Sequence, residues 1–139
     1  WLVDEGLARA VRAAVALEMA TRPGRHLLLS GGELTVRVRA PGGAGGPNLE
    51  YLAALMAGLP ADAPVAALAC DSDGIDGSED NAGGYFDASC RATAEDCAAA
   101  LATNRSHDLF QRTGGLIVTG PTRTNVNDIR MIAVSGPRA

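Results

Sequence analysis

Residues 116–134 place the tightest constraint on the fold. An apolar, β-branched run, Leu116-Ile117-Val118, stops at Gly120-Pro121. A polar loop follows, made of hydroxyl, amide and carboxylate side chains and broken by Arg123 and Val126. Ile129 to Val134 then reads as a second strand. Proline cannot donate to a strand ladder, so the first strand must end where Gly120-Pro121 begins. A polar loop of this length makes a poor tight hairpin. It is well suited to presenting Thr, Asn and Asp side chains at a sheet edge, where small ligands are commonly held.

Helices and strands alternate through the rest of the chain. Residues 4–20 carry Leu7, Ala10, Val11, Ala14 and Val15 at helical spacing, and Thr21-Arg22-Pro23-Gly24 ends that helix. Residues 26–30 read as a short buried strand. Residues 33–39 alternate Leu34, Val36 and Val38 with Thr35, Arg37 and Arg39, which predicts a half-exposed strand. Pro47 opens a helix running to Gly58, with Leu49, Leu52, Ala53 and Met56 on one side. Residues 64–70 form another buried strand, and residues 71–84 an acidic, Gly-rich loop. Thr93-Ala94-Glu95-Asp96 has the form of a capping box and opens a helix to Ala102; Ser106 caps another through Arg112. The pattern predicts one α/β layered domain over residues 1–139, with a mixed β-sheet flanked by helices. Its first residue is Trp1 rather than Met, so the chain is expected to be a piece of a longer protein.

Several functions are disfavoured. A net charge of −4 lacks the basic face that non-specific nucleic-acid binding needs. All 12 basic residues are Arg, so this chain supplies no P-loop or Schiff-base lysine. Cys70, Cys90 and Cys97 lack the spacing of a zinc site or disulfide framework, and suit reduced thiols in a cytoplasmic protein. No apolar run has the length of a membrane span, so no membrane partner is expected.

Three further loops could hold a ligand. In Ser30-Gly31-Gly32-Glu33, glycines permit close approach beside one carboxylate, or simply make a turn. Gly42 to Gly46 lead into a helix start, where free N–H groups attract anions; this is a phosphate or carboxylate site, or a surface loop, and it matches neither standard phosphate motif. Asp71, Asp73, Asp76, Glu79 and Asp80 crowd one loop that lacks the EF-hand pattern. A looser Mg²⁺ or Ca²⁺ site remains open there, as do turn and helix-capping roles.

Together these loops resemble the MOFRL domain, the carboxy-terminal domain of class II glycerate kinases, a group also labelled hydroxypyruvate reductase. The resemblance lies in Ser30-Gly31-Gly32-Glu33, Gly45-Gly46-Pro47-Asn48-Leu49-Glu50, Asp73-Gly74-Ile75-Asp76-Gly77 and, above all, Thr119-Gly120-Pro121-Thr122-Arg123-Thr124-Asn125-Val126-Asn127-Asp128. It implies a two-domain parent, with an amino-terminal domain of the same chain closing a cleft over this one. The implied reaction is phosphorylation of D-glycerate by ATP to 2-phosphoglycerate, with Mg²⁺. The implied catalytic residues are Glu33, Asn48, Glu50, Asn125, Asn127 and Asp128. Gly31, Gly32, Gly45, Gly46, Thr122 and Thr124 would bind the nucleotide, and Asp73 and Asp76 the metal. The chain departs from the family's pattern where Pro47 and Leu49 replace Arg and Gln, Arg123 replaces Gly and Ser72 replaces Thr. Those departures keep a catalytically silent regulatory domain open as an alternative, with a reductase as a third.

Overall fold

The structure is a computed structural model that describes residues 11–33, 35, 36 and 38–138. The first part of the predicted 4–20 helix, with Leu7 and Ala10, lies outside these residues, as do Leu34 and Arg37. The elements are α1 (Ala13–Ala20), β1 (Arg25–Gly31), α2 (Pro47–Ala57), β2 (Val65–Asp71), β3 (Gly83–Phe86), α3 (Ala94–Thr103), α4 (Ser106–Thr113), β4 (Leu116–Ile117) and β5 (Asp128–Ser135).

The strands form one sheet in the order β1-β5-β2-β3-β4. The layered α/β architecture is as expected, but every pairing among the described residues is antiparallel rather than mixed. β5 is an interior strand between β1 and β2, and its strict alternation puts Asp128, Arg130, Ile132 and Val134 inward. The strands either side of the 118–127 loop are not neighbours, because β2 and β3 lie between β4 and β5.

α2 is the core helix. It packs on β2 and β3, with α3 and α4 against it. Every residue from Asn48 to Met56 is buried, so α2 is enclosed on all sides rather than along one stripe. Leu49, Leu52, Phe86, Phe110, Ile132 and Val134 share one cluster with Ala13 and Ala16 of α1.

Several local expectations need correction. β1 is an edge strand, with alternate residues exposed rather than buried throughout. The described residues of the 33–39 segment form no strand; Arg39 N–H donates instead to Asn104 Oδ1. Gly83 and Gly84 belong to a strand, paired with Cys70 and Ala69 of β2, not to the loop. At α3, Thr93 Oγ1 accepts from Asp96 N–H at 3.1 Å, as the capping motif predicts. Ser106 is the first residue of α4 and makes no capping bond.

The link from α2 to β2 is held by one side chain. Arg91 Nη1 donates to the carbonyls of Pro60, Ala61 and Ala63 at 3.1, 3.2 and 3.2 Å, and Nη2 reaches that of Val65. The guanidinium lies 5.1 Å from the Phe86 ring centroid. Arg91→Met should therefore lower stability by about 2–4 kcal/mol in urea titration, while Arg112→Met, at an exposed position of α4, stays within about 0.5 kcal/mol.

Candidate functional site

Antiparallel pairing gathers the candidate loops at one end of the sheet. β1 ends there at Gly31, β2 at Asp71 and β4 at Ile117; β3 begins there at Gly83 and β5 at Asp128. The amino end of α2 meets the 71–82 loop at this same end.

That junction is made by Asp76. Its Oδ1 accepts from the backbone N–H of Asn48 at 3.0 Å and from Asn48 Nδ2 at 3.3 Å. Its Oδ2 accepts from Leu49 N–H at 3.1 Å. A carboxylate here satisfies orphan donors and meets the positive end of the helix dipole. Pro47 has no N–H, and Glu50 N–H bonds to the Gly46 carbonyl at 3.0 Å. The chain's own groups thus fill the helix start, so it is not the anion-binding cradle expected of Gly45 and Gly46. These glycines serve close packing: a Cβ on Gly46 would sit 2.3 Å from the Asp76 carbonyl oxygen, and one on Gly45 would sit 2.2 Å from Ser106 Oγ.

The same contacts remove Asp76 as a metal ligand. Asp73 is likewise engaged: Oδ1 accepts from Ile75 N–H at 2.9 Å and Oδ2 from Asn125 Nδ2 at 3.3 Å. Among the described residues no cluster of three or more His, Cys, Asp or Glu side chains is placed to hold a metal. Asp73 and Asp76 therefore do not fit the Mg²⁺ role.

A buried polar chain continues from Asp76. Asn48 Nδ2 also donates to Asp128 Oδ1 at 2.9 Å. Arg130 Nη1 donates to Asp128 Oδ2 at 3.0 Å, and Nη2 donates to the carbonyls of Gly31 and Gly32 at 2.8 and 2.7 Å. The Arg130 guanidinium lies 5.6 Å from the Tyr51 ring centroid. Asn48, Asp76, Asp128 and Arg130 are all buried. They tie three of the loops and the start of α2 together from beneath. Burial pushes the Asp76 carboxyl up to about 6, against the pull of the Asn48 and Leu49 N–H groups and with a further push from Asp128. Burial also raises Cys70, helped by Asp128, Asp71 and Asp76.

An exposed layer lies above. Thr122 N–H donates to the Asp73 carbonyl at 2.9 Å, the Thr122 hydroxyl donates to the Ser72 carbonyl, and Val126 N–H donates to Ser72 Oγ at 2.8 Å. A Cβ on Gly74 would sit 2.2 Å from the Gly120 carbonyl oxygen, so the two loops touch backbone to backbone. Thr122, Arg123, Thr124, Asn125 and Asn127 are exposed on this loop; Glu33 and Gly32 are exposed on theirs. Glu50 is buried in the first turn of α2, beside a pocket of about 290 Å³ bordered by Val36, Gly43, Pro47, Ser78 and Asn104. The expected site residues thus divide into an open set (Glu33, Thr122, Thr124, Asn125, Asn127) and a buried set (Asn48, Glu50, Asp76, Asp128).

Arg130 was absent from the expected site. Its signal was present in the sequence, as a cation two residues after Asp128 on a strand whose other inward positions are apolar. Buried Asn81, whose carbonyl accepts from Asp76 N–H at 2.6 Å, carried no comparable signal.

A model of the MOFRL family matches residues 26–128. The chain belongs to the MOFRL family. It is 41% identical over 133 residues to an Agrobacterium vitis protein with a provisional hydroxypyruvate reductase name, covering 89% of this chain and 34% of that one. It is 37% identical over 116 residues to the glycerate 2-kinase of Pyrococcus horikoshii, covering 81% of this chain and 26% of that one. The crystal structure of a Thermotoga maritima glycerate kinase superposes with a TM-score of 0.79 at 32% identity, over 96% of this chain and 34% of that chain. The MOFRL chain therefore spans about a quarter to a third of these relatives.

Arg123 adopts φ +62°. That left-handed conformation explains why Gly suits this place in the MOFRL motif. Arg123→Gly should raise stability by about 1 kcal/mol in urea titration. Asp76 gives a pH signature. Its folded pKa, about 6, lies above its ordinary 3.8, so the folded state holds the proton more tightly across that window. Stability from this group is greatest below about pH 4 and falls by roughly 3 kcal/mol as pH rises through 6. Urea titrations from pH 4 to 7 should show that fall in the parent chain, and Asp76→Asn should lack it.

Proposed function

We propose that this MOFRL chain is the carboxy-terminal part of a glycerate 2-kinase, forming one wall of a cleft in which ATP phosphorylates D-glycerate to 2-phosphoglycerate. The observation that carries this reading is the exposed 120–127 loop. Its Thr124, Asn125 and Asn127 side chains and the Arg123 cation stand at the sheet end, on a backbone held by Ser72 and Asp73 and adjoining the buried network at Asp128. The names of the kinase relatives support the same reading.

Phosphoryl transfer depends on positioning and charge neutralisation more than on covalent catalysis. The glycerate carboxylate and the transferring phosphoryl group are both anionic, and amide donors with a guanidinium suit either. The substrate hydroxyl attacks the γ-phosphorus, ADP leaves, and the hydroxyl proton needs an acceptor. Glu33 is an exposed carboxylate on a neighbouring loop and is suited to that task. The Gly31-Gly32 turn, pinned by Arg130, remains open towards a nucleotide. The second wall and the exclusion of water would come from an amino-terminal domain of the same parent chain. The reductase reading is weaker: a dinucleotide pyrophosphate needs a free helix start, and Asp76 fills that of α2. Three free cysteines suit a reducing, cytoplasmic setting.

The full-length protein should convert ATP and D-glycerate to ADP and 2-phosphoglycerate, and the 139-residue chain alone should not. Asn127 adopts φ +66°, so Asn127→Gly, which keeps that backbone, should in the full-length protein lower kcat/KM about 10- to 100-fold with little change in melting temperature. NADH oxidation with hydroxypyruvate, without phosphoglycerate formation, would overturn the kinase reading.

A further inference from the structure

The two faces of the sheet are unequal. Inward residues of β2 and β5 enter the core with the helices, whereas the outward face carries Leu27, Leu29, Leu68, Tyr85, Ile129 and Met131. The register aligns Leu29, Met131, Leu68 and Tyr85 in one row across four strands. Leu27 and Leu29 are 58% and 65% exposed, and Ile129, Met131 and Tyr85 between 37% and 39%. A solvated face of an antiparallel sheet normally alternates to polar residues. Here charge reaches the outward face of β1 only at its far end, at Arg25. A contiguous apolar surface of this kind marks an interface.

We propose that this outward sheet face is the docking surface for the rest of the parent polypeptide. The inference rests on the reading of the chain as part of a longer protein. The superposed Thermotoga maritima chain matches this fold with 34% of its length, leaving two-thirds of such a polypeptide to be placed. Apart from Arg25 at the far end, the described outward strand residues of this face are uncharged, so its occupant is an apolar helix or sheet surface rather than a nucleic acid or an acidic peptide. It is also continuous with the candidate site: Gly31 and Ile129 pair at the end of the sheet where the loops gather. A domain seated on the face therefore reaches the open loops, which a cleft between the two parts requires.

Photocrosslinking in the full-length protein tests the assignment. A benzophenone amino acid is placed at Leu29 and, separately, at Tyr85, so that one ill-tolerated position does not decide the result. After irradiation, peptide mapping should find links within one polypeptide, from each position to residues outside these 139. The same probe at Glu95, exposed on α3, should give none. Links only to a second copy, links confined to the 139 residues, or no links would overturn the proposal. The readout needs no turnover. An inactive protein with the expected links would remove the kinase reading alone, and an active kinase without them would remove the docking face alone.

Discussion

The carboxylate of Asp76 against the first turn of α2 is the contact on which the rest depends. α2 is buried on every side, so its direction decides how the sheet, α3 and α4 pack. Asp76 fixes that direction by taking up the N–H groups of Asn48 and Leu49. Asn48 then shares its amide between Asp76 and Asp128, and Arg130 completes the series. Buried carboxylates are costly when isolated, and removing one member would strand the next without its partner. The network therefore acts as a single unit, and its cost is offset by the number of loops it holds in register.

This arrangement gives neighbouring motif residues different work. Asn125 and Asn127 face solvent, while Asp128, the next residue, turns inward because β5 begins there and strand parity takes over. The same division separates Asp73, at the surface, from buried Asp76. A compact run of polar residues is thus both a presented surface and its support. Ligand-facing loops hold their geometry when the groups beneath them are locked by packing and hydrogen bonds.

Much of the architecture was legible from periodicity and punctuation. Pro47 marked the start of α2, Thr93 and Asp96 the start of α3, and the run from Ile129 to Val134 the strand β5. The mixed sheet was not, because strand direction depends on which strands become neighbours. Gly83 and Gly84 read as a turn because glycine has no side chain to betray a strand. The helix start before Asn48 read as a place for an external anion or as a plain surface loop, since nothing local reveals that Asp76, 28 residues on, supplies the charge from within. For the site, the motif residues did converge on one sheet end. What spacing could not tell was which would be buried, since that follows from strand parity and from contacts such as Asn48 with Asp128, 80 residues apart.

The order of strands carries a consequence for how the chain folds. β1 and β2 do not touch each other; β5 lies between them and is the last of the described elements. Arg25 of β1 must find Ser135 of β5 across nearly all the intervening sequence. On a ribosome β1 has no described partner strand to join until β5 has emerged, although the α2–β2–β3 segment can already associate locally. Contacts of such long sequence separation slow the search for the native state. Completion of this sheet is therefore a late event, and until it occurs β1 is an unpaired apolar strand that a chaperone, or a neighbouring nascent chain, could capture.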